Sequence, residues 1–335
     1  MNLSNQTILL TGAANGIGRN LATRLLFLKN PPAKLILWDI EYENLVEFKD
    51  YYSKYFIGSK EKVTKIYCQK VDLSKLENLD HNLLCKYSDG IIDVFLPIAG
   101  YAERNLTSHQ SIQDFQKSIN VNFLSIVKLT KLILEGRSSE VTRTMPKHIK
   151  TTSYECQNIV FISSFLSTVG LPYFSSYSSA KASLSLFAQS LGSELFLAKK
   201  YAKYGQYYEK EVQCSMLESP KQKYDRIEEF KSYTSLPNIS TVLPQAVKTR
   251  FINDSPCNSA IYNFSKLSSN KVTEQILTNL TYHESIYCYS QVFVGWIAWF
   301  YGFFGRFLSY QSVYEMNGSI GLLQAGKKQS RKEIS

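Results

Sequence analysis

The sequence predicts an α/β fold in which one parallel sheet is covered by helices on both faces. Three observations carry that prediction. Short β-branched or Leu-rich runs alternate with longer helical patterns, a glycine-rich turn separates the first run from the first helix, and an acidic residue ends the second run. Candidate strands are Thr7 to Thr11, Lys34 to Trp38, Val63 to Gln69, Val94 to Ile98, Ile159 to Ser163, Ile239 to Leu243 and Ser285 to Tyr289. Helix-length segments between strands rule out hairpins, so each strand returns parallel to the last. The chain of 335 residues exceeds the roughly 200–250 of one common α/β domain and falls short of two generous ones. One domain over residues 1–290 with an extension over 291–335 is expected, and 44% hydrophobic residues suffice for a large core and exclude disorder as the main state.

The first strand leads directly into T-G-A-A-N-G-I-G, in which Gly12, Gly16 and Gly18 open a helix running through Ala22 and Leu26. Glycines at such a turn let backbone approach a pyrophosphate, and the helix start supplies unpaired N–H groups and positive potential. This is the Rossmann-type, doubly wound arrangement. At the end of the second strand, twenty-one positions after Gly18, stands Asp39. A carboxylate there accepts hydrogen bonds from adenosine ribose hydroxyls and repels a 2′-phosphate. No Arg or Lys lies between Gly12 and Gly18, and Ile40 follows Asp39, so the pattern favours NAD over NADP. The alternative for Asp39 is a strand-end cap.

After the fifth strand come Ser164, Tyr177 and Lys181. Tyr177 and Lys181 are four apart in Y-S-S-A-K, so on a helix they share a face and the ammonium can sit beneath the phenol. A positive neighbour stabilises phenolate and draws tyrosine toward the working range of a general acid/base. Ser164 ends its strand thirteen residues earlier, where its hydroxyl can orient a substrate oxygen.

Two stretches interrupt the alternation: a polar connection over 136–157, and a Lys- and Tyr-rich insert over 199–238 that reads as a solvated helix extension plus loop or as a binding element. The most apolar stretch is 292–308, V-F-V-G-W-I-A-W-F-Y-G-F-F-G-R-F-L, followed by Lys327, Lys328, Arg331 and Lys332. It is short for a spanning helix, is interrupted by Arg306 and is rich in Trp and Tyr, which favours an in-plane or re-entrant membrane segment over a span. A core-packing or dimer-forming helix is the other reading.

A net charge of +10 invites an anionic partner, either nucleic acid or a membrane surface. No nucleic-acid motif or basic helical stripe is present, so a nucleic-acid partner is not expected. The six cysteines form no C-x-x-C pair and have no His at ligand spacing, which fits a reduced compartment and no structural metal. The apolar run Ile8 to Leu10 is too short for a signal-peptide core, so the chain is expected to fold in the cytosol.

These motifs, in this order, make the chain resemble a short-chain dehydrogenase/reductase over roughly residues 5 to 290. The quoted residues are the glycine turn, Asp39, Asp72 in V-D-L-S, Asn122 in V-N-F-L-S, Ser164, Tyr177, Lys181 and P-Q-A-V-K-T from Pro244 to Thr249. The resemblance implies catalysis by Asn122, Ser164, Tyr177 and Lys181. It also implies cofactor contacts from Gly12, Asn15, Gly16, Ile17, Gly18, Asp39, Asp72, Ala99, Tyr177, Lys181 and Thr249. Asp72 would touch adenine, Lys181 the nicotinamide ribose and Thr249 the amide region, while Asn122 would link a water-borne proton relay. L-I-L-W-D-I and L-P-Q-A-V-K-T-R-F-I are further similar to the membrane and lipid-droplet group of retinol and hydroxysteroid dehydrogenases. The expected activity is NAD-linked interconversion of a lipophilic alcohol and its ketone or aldehyde. The expected setting is the cytosolic face of the endoplasmic reticulum or a lipid droplet, with a homodimer as an open option. Two departures stand out: the family's N-N-A-G reads P-I-A-G at Pro97 to Gly100, and Gln245 replaces a glycine. They keep a second reading open, a catalytically silent NAD-binding interaction module.

Overall fold

The computed structural model describes residues 3–55, 63–88, 91–135, 156–208, 237–247, 267–281 and 289–294. Seven parallel strands form one sheet in the order β3-β2-β1-β4-β5-β6-β7. They are β1 (Thr7–Thr11), β2 (Lys34–Asp39), β3 (Lys65–Lys70), β4 (Val94–Pro97), β5 (Asn158–Ile162), β6 (Asn238–Pro244) and β7 (Tyr289–Val294). The helices are α1 (Gly16–Leu26), α2 (Tyr42–Tyr55), α3 (His81–Ser88), α4 (Ile112–Ile119), α5 (Ser125–Glu135), α6 (Ser175–Tyr208) and α7 (Ser269–Thr281).

Side-chain alternation along each strand builds two cores. Ile8, Leu10, Leu35, Leu37, Val160 and Ile162 face one side, where they meet Leu21, Ala22 and Leu25 of α1, Leu45 and Phe48 of α2, and Val272 and Ile276 of α7. The intervening residues Leu9, Ile36, Trp38, Ile159 and Phe161 face the other side, against Ile126, Leu129 and Ile133 of α5 and Leu184, Ala188 and Leu191 of α6. A period of two in the strands and of three to four in the helices therefore explains why the strands read as continuous apolar runs: both faces are covered. Truncating one such buried leucine to alanine costs about 2–5 kcal/mol.

From β1 the chain winds outward to β3, then crosses back to β4 beside β1 and winds the other way. The carboxyl ends of β1 and β4 are thus the point where winding reverses and a crevice opens.

Three expectations are revised or extended. The last strand is described over Tyr289–Val294 and so runs past the expected end at Tyr289, because β6 extends to Pro244 and the register goes from Ile239↔Tyr289 to Pro244↔Val294; positions 285–288 of the expected strand lie outside the described residues. Val292 to Val294 therefore belong to the sheet, and the rest of the apolar stretch, 295–308, lies outside the described residues. α6 runs for 34 residues and takes the first part of the expected 199–238 insert into helix, as the helix-extension reading has it. Positions 209–236 of that insert, and 136–155 of the polar connection, lie outside the described residues. Among the described residues no helix is long and apolar enough to cross a membrane.

Candidate active site

One cleft of about 710 Å³ runs along the winding-reversal point, from Asp39 to Tyr177. Gly12, Asn15, Gly16, Ile17, Gly18, Asp39 and Ala99 line its cofactor end, and Ser164, Tyr177 and Lys181 line the other. Ten of the residues anticipated from sequence are thereby brought together. Asp72 and Asn122 are not among the lining residues, and Thr249 lies outside the described residues.

Backbone geometry makes the cofactor end. Gly12 and Gly16 have φ of 70° and 57°, the left-handed region in which a Cβ is strained. Space forbids a side chain as firmly: a Cβ on Gly12 would lie 2.6 Å from the Ala99 backbone, and one on Gly18 would lie 2.0 Å from the Gly12 carbonyl oxygen. The first glycine thus lets β1 and β4 close together, and the third lets α1 pack onto the turn. Asn15 begins α1 in extended conformation, yet its side chain makes no capping bond and α1 has no acidic residue in its first turn. The helix start is left to an anion, and the cradle fits the pyrophosphate of a dinucleotide.

Asp39 both lines the cleft and braces it. Its Oδ2 accepts from Ala14 N at 2.9 Å and its Oδ1 from Glu41 N at 3.1 Å, so the ribose-side carboxylate and the glycine turn are one unit. Asp72 accepts from the backbone N–H and hydroxyl of Ser74 at 2.9 and 2.7 Å. Partial burial pushes its carboxyl up, but the two Ser74 bonds and the Lys75 and Lys117 charges outweigh this and hold it below its ordinary value. The altered P-I-A-G segment still closes the site. Ala99 N donates to Thr11 Oγ1 at 3.3 Å, so a threonine hydroxyl at the end of β1 braces the end of β4.

The catalytic end is made from side chains. Ser164 lies two residues beyond β5 and caps a single 3₁₀ turn, its Oγ accepting from Leu166 N at 3.2 Å. Tyr177 and Lys181 sit one turn apart on α6, with the Lys181 ammonium 5.8 Å from the phenol ring centroid, as the four-residue spacing predicts. Lys181 is only 3% exposed, and Nζ donates to the Ile162 carbonyl at 2.7 Å. Burial lowers its pKa to about 7. A second phenol, Tyr101, also lines the cleft, but burial, its hydrogen bond to Glu103 and the Glu103 and Asp114 charges push it up to about 12. Of the two phenols, Tyr177 is the one with the Lys181 ammonium beneath its ring.

Asn122 lies fully buried in a widened π-type turn, Asn120–Leu124, that joins α4 to α5. Its Nδ2 donates to the Tyr101 carbonyl at 2.6 Å and to the Ser118 carbonyl at 2.8 Å, while its Oδ1 accepts from Tyr101 N at 3.1 Å. The side chain is a clamp on the backbone just after β4, so its contribution here is to position the cleft wall. Such turns inside helices are frequent at functional sites.

Glu41 was not singled out in the sequence, though it lines the cleft and accepts from Asn15 Nδ2 at 3.0 Å. Its only signal was its place two residues beyond Asp39. Among the described residues, no group of three His, Cys, Asp or Glu side chains could hold a metal ion.

Comparison with known proteins agrees with this geometry. The family model for short chain dehydrogenases matches residues 6–199. The 3-oxoacyl-[acyl-carrier-protein] reductase FabG of Thermotoga maritima is 29% identical over 195 residues, 58% of this chain and 70% of the relative. The reductase of the same name from Salmonella typhimurium is 26% identical over the same length, covering 69% of that relative. Among solved structures, an alcohol dehydrogenase from the archaeon Thermococcus sibiricus, complexed with 5-hydroxy-NADP, superposes with a TM-score of 0.57 at 17% identity, over 88% of this chain and 97% of its own. A short-chain dehydrogenase from Sphingobium yanoikuyae in complex with NADPH gives 0.58 at 14%, over 90% and 93%. The glycine cradle, the Ser164, Tyr177 and Lys181 arrangement and the family match over more than half its length place this chain in the short-chain dehydrogenase family of oxidoreductases.

Proposed function

We propose that the protein is an NAD-linked oxidoreductase that interconverts a lipophilic alcohol and its ketone or aldehyde. The observation that carries this reading is the cleft itself. A carboxylate-lined glycine cradle and a phenol with a lysine beneath it occupy opposite ends of one continuous space. In the oxidative direction Tyr177 takes the proton of the substrate hydroxyl, Lys181 favours the phenolate electrostatically, and Ser164 orients the substrate oxygen. A nicotinamide dinucleotide held by the Gly12, Gly16 and Gly18 cradle would supply the hydride acceptor, or the donor in reduction. Asp39 supports NAD because a 2′-phosphate placed beside it meets a like charge. Phe165 and Leu166 beside Ser164, and Phe174 packed on Tyr177, give the substrate side apolar walls, which suits a lipid alcohol of the retinoid or steroid kind.

The apolar run beyond β7 and the basic residues Lys327 to Lys332 support attachment to the cytosolic face of the endoplasmic reticulum or a lipid droplet. Burying Trp296, Trp299 and Phe300 contributes about 1.5–3 kcal/mol for each fully buried large side chain. That exceeds the roughly 1 kcal/mol that each basic residue adds on an anionic surface.

A turnover screen of lipid alcohols and ketones with each nicotinamide cofactor tests the activity. Turnover confined to small polar substrates would refute the lipophilic assignment. Cofactor binding without any turnover would mark a silent dinucleotide-binding module, the reading that Pro97 to Gly100 leaves open. For attachment, a truncation after Val294 keeps β7 in the sheet. It should leave the membrane fraction in high salt, and retention equal to that of the full chain would show that 295–335 is not the anchor.

A further inference from the structure

The loop after β4 carries a tyrosine held more firmly than a wall residue requires. Tyr101 lines the cleft, and the buried Asn122 side chain grips its backbone on both sides, accepting from Tyr101 N at 3.1 Å and donating to the Tyr101 carbonyl at 2.6 Å. The Lys117 ammonium covers its ring, 4.4 Å from the centroid. Its hydroxyl donates at 3.1 Å to Oε2 of Glu103, which lines the cleft as well. Backbone, ring and hydroxyl are each fixed, so the phenol has little freedom left to lose when a ligand arrives. What the pair offers is acceptors. The phenol spends its one proton on Glu103 and keeps lone pairs for a ligand, and a carboxylate has acceptor oxygens alone. Burial, the bond to Glu103 and the Glu103 and Asp114 charges push the phenol pKa up to about 12, which holds the proton in this arrangement. The same loop runs on to the catalytic helix: Arg104 lies over the Phe174 ring, which packs on Tyr177, and Thr107 Oγ1 donates to Ser175 Oγ at 3.0 Å. These contacts tie the pair to the substrate side of the cleft.

We infer that Tyr101 and Glu103 form a substrate-selecting pair that reads a second hydroxyl group, so that the preferred substrate is a lipophilic diol rather than a simple alcohol of the same chain. The inference rests on the lipophilic-alcohol reading above and names a subclass of it. Ser164 and Tyr177, which serve the reacting oxygen in the proposed mechanism, come from the segment after β5 and from α6, so the acceptors of the Tyr101 loop are additional to them. A hydroxyl can donate to the pair, whereas a carbonyl or a carboxylate on the substrate finds no donor there. A neutral donor suits it better than an ammonium, because Lys117 over the Tyr101 ring and Arg104 next to Glu103 in the chain offset the carboxylate charge.

The experiment titrates decanol, a series of decanediols that differ in hydroxyl spacing, and propanediol onto the full-length protein loaded with NADH, to which an alcohol binds without reacting. Dissociation constants come from calorimetry or NADH fluorescence, for wild type, Tyr101→Phe and Glu103→Gln. The expected result is that wild type binds the best decanediol about three- to tenfold more tightly than decanol, the size of one hydrogen bond between neutral groups. Tyr101→Phe should bring that ratio close to one, and Glu103→Gln, which exchanges a charged acceptor for a neutral one, should shrink it. A wild type that binds decanol and every decanediol equally well overturns the inference and leaves the lipophilic reading standing. A preference for the diol that survives unchanged in Tyr101→Phe overturns it too, because another part of the cleft then reads the second hydroxyl. Propanediol bound more tightly than any decanediol, with the gain over propanol lost in Tyr101→Phe, removes the lipophilic reading and keeps the pair. A wild type that binds neither decanol nor any diol removes both.

Discussion

The two ends of the cleft are built from different materials. At the cofactor end the functional surface is backbone, and what matters is the absence of atoms: Gly12 and Gly18 leave room that a single Cβ would fill. At the catalytic end it is side chain, and what matters is the presence of particular atoms, the Tyr177 phenol and the buried Lys181 ammonium. The difference teaches that the same degree of chemical conservatism has opposite consequences at the two ends. Adding one methyl group breaks the first, whereas removing one oxygen breaks the second.

The largest expected effect is at the catalytic end. Tyr177→Phe should lower kcat by about 10²–10⁴-fold, the usual contribution of a general acid/base, with the NAD dissociation constant nearly unchanged. In the proposed mechanism the lost hydroxyl acts on substrate, so a comparable loss of NAD affinity in a titration would erase the division between the ends. Turnover close to wild type would remove Tyr177 from the chemistry.

Gly18→Ala should do the reverse. Its Cβ would sit 2.0 Å from the Gly12 carbonyl oxygen, so α1 must retreat from the turn. Overpacking of this kind costs about 1–3 kcal/mol, seen as a lower Tm, and NAD affinity should fall by about tenfold or more. With NAD at saturation, kcat should fall far less than the affinity does. A variant that loses kcat but binds NAD normally would show that the glycine packing serves the catalytic end.

A further effect concerns pH and sharpens the contrast in burial. Lys181 has its folded pKa lowered from 10.5 to about 7 by burial, so between those values the unfolded chain binds the extra proton and the folded chain does not. Stability contributed through this group therefore rises as pH goes from about 7 toward 10.5, and the full penalty of burying the charge is felt below 7. Lys181→Met should flatten the rise in Tm between pH 7 and 9.5 relative to wild type. Identical slopes in thermal melts would mean that Lys181 is not desolvated when the protein is folded.

Much of this was legible in the sequence because it depends on short-range geometry. Strand and helix order follow from apolar periods of two and of three to four, and the shared face of Tyr177 and Lys181 follows from helix pitch. The need for glycine at 12 and 18 follows from a strand passing at once into a helix. These features are set within a few residues, where covalent geometry leaves little choice. What only the tertiary structure decided joins residues far apart in the chain. The side-chain clamp of Asn122 depends on Tyr101, twenty-one residues away, and on a widened helical turn that no residue pattern announces. Ala99 is braced by Thr11 across 88 positions, and Asn15 meets Glu41 across 26, contacts that exist because β1 lies between β2 and β4. The last strand runs to Val294, beyond the Tyr289 at which its own composition ended it, because that limit is set by the partner it pairs with. The depressed pKa of Lys181 comes from burial among elements that assemble only when the sheet closes. Local conformational preference selects the elements and their facing residues, whereas desolvation, register and long-range hydrogen bonding arise from packing and are decided only when distant segments meet.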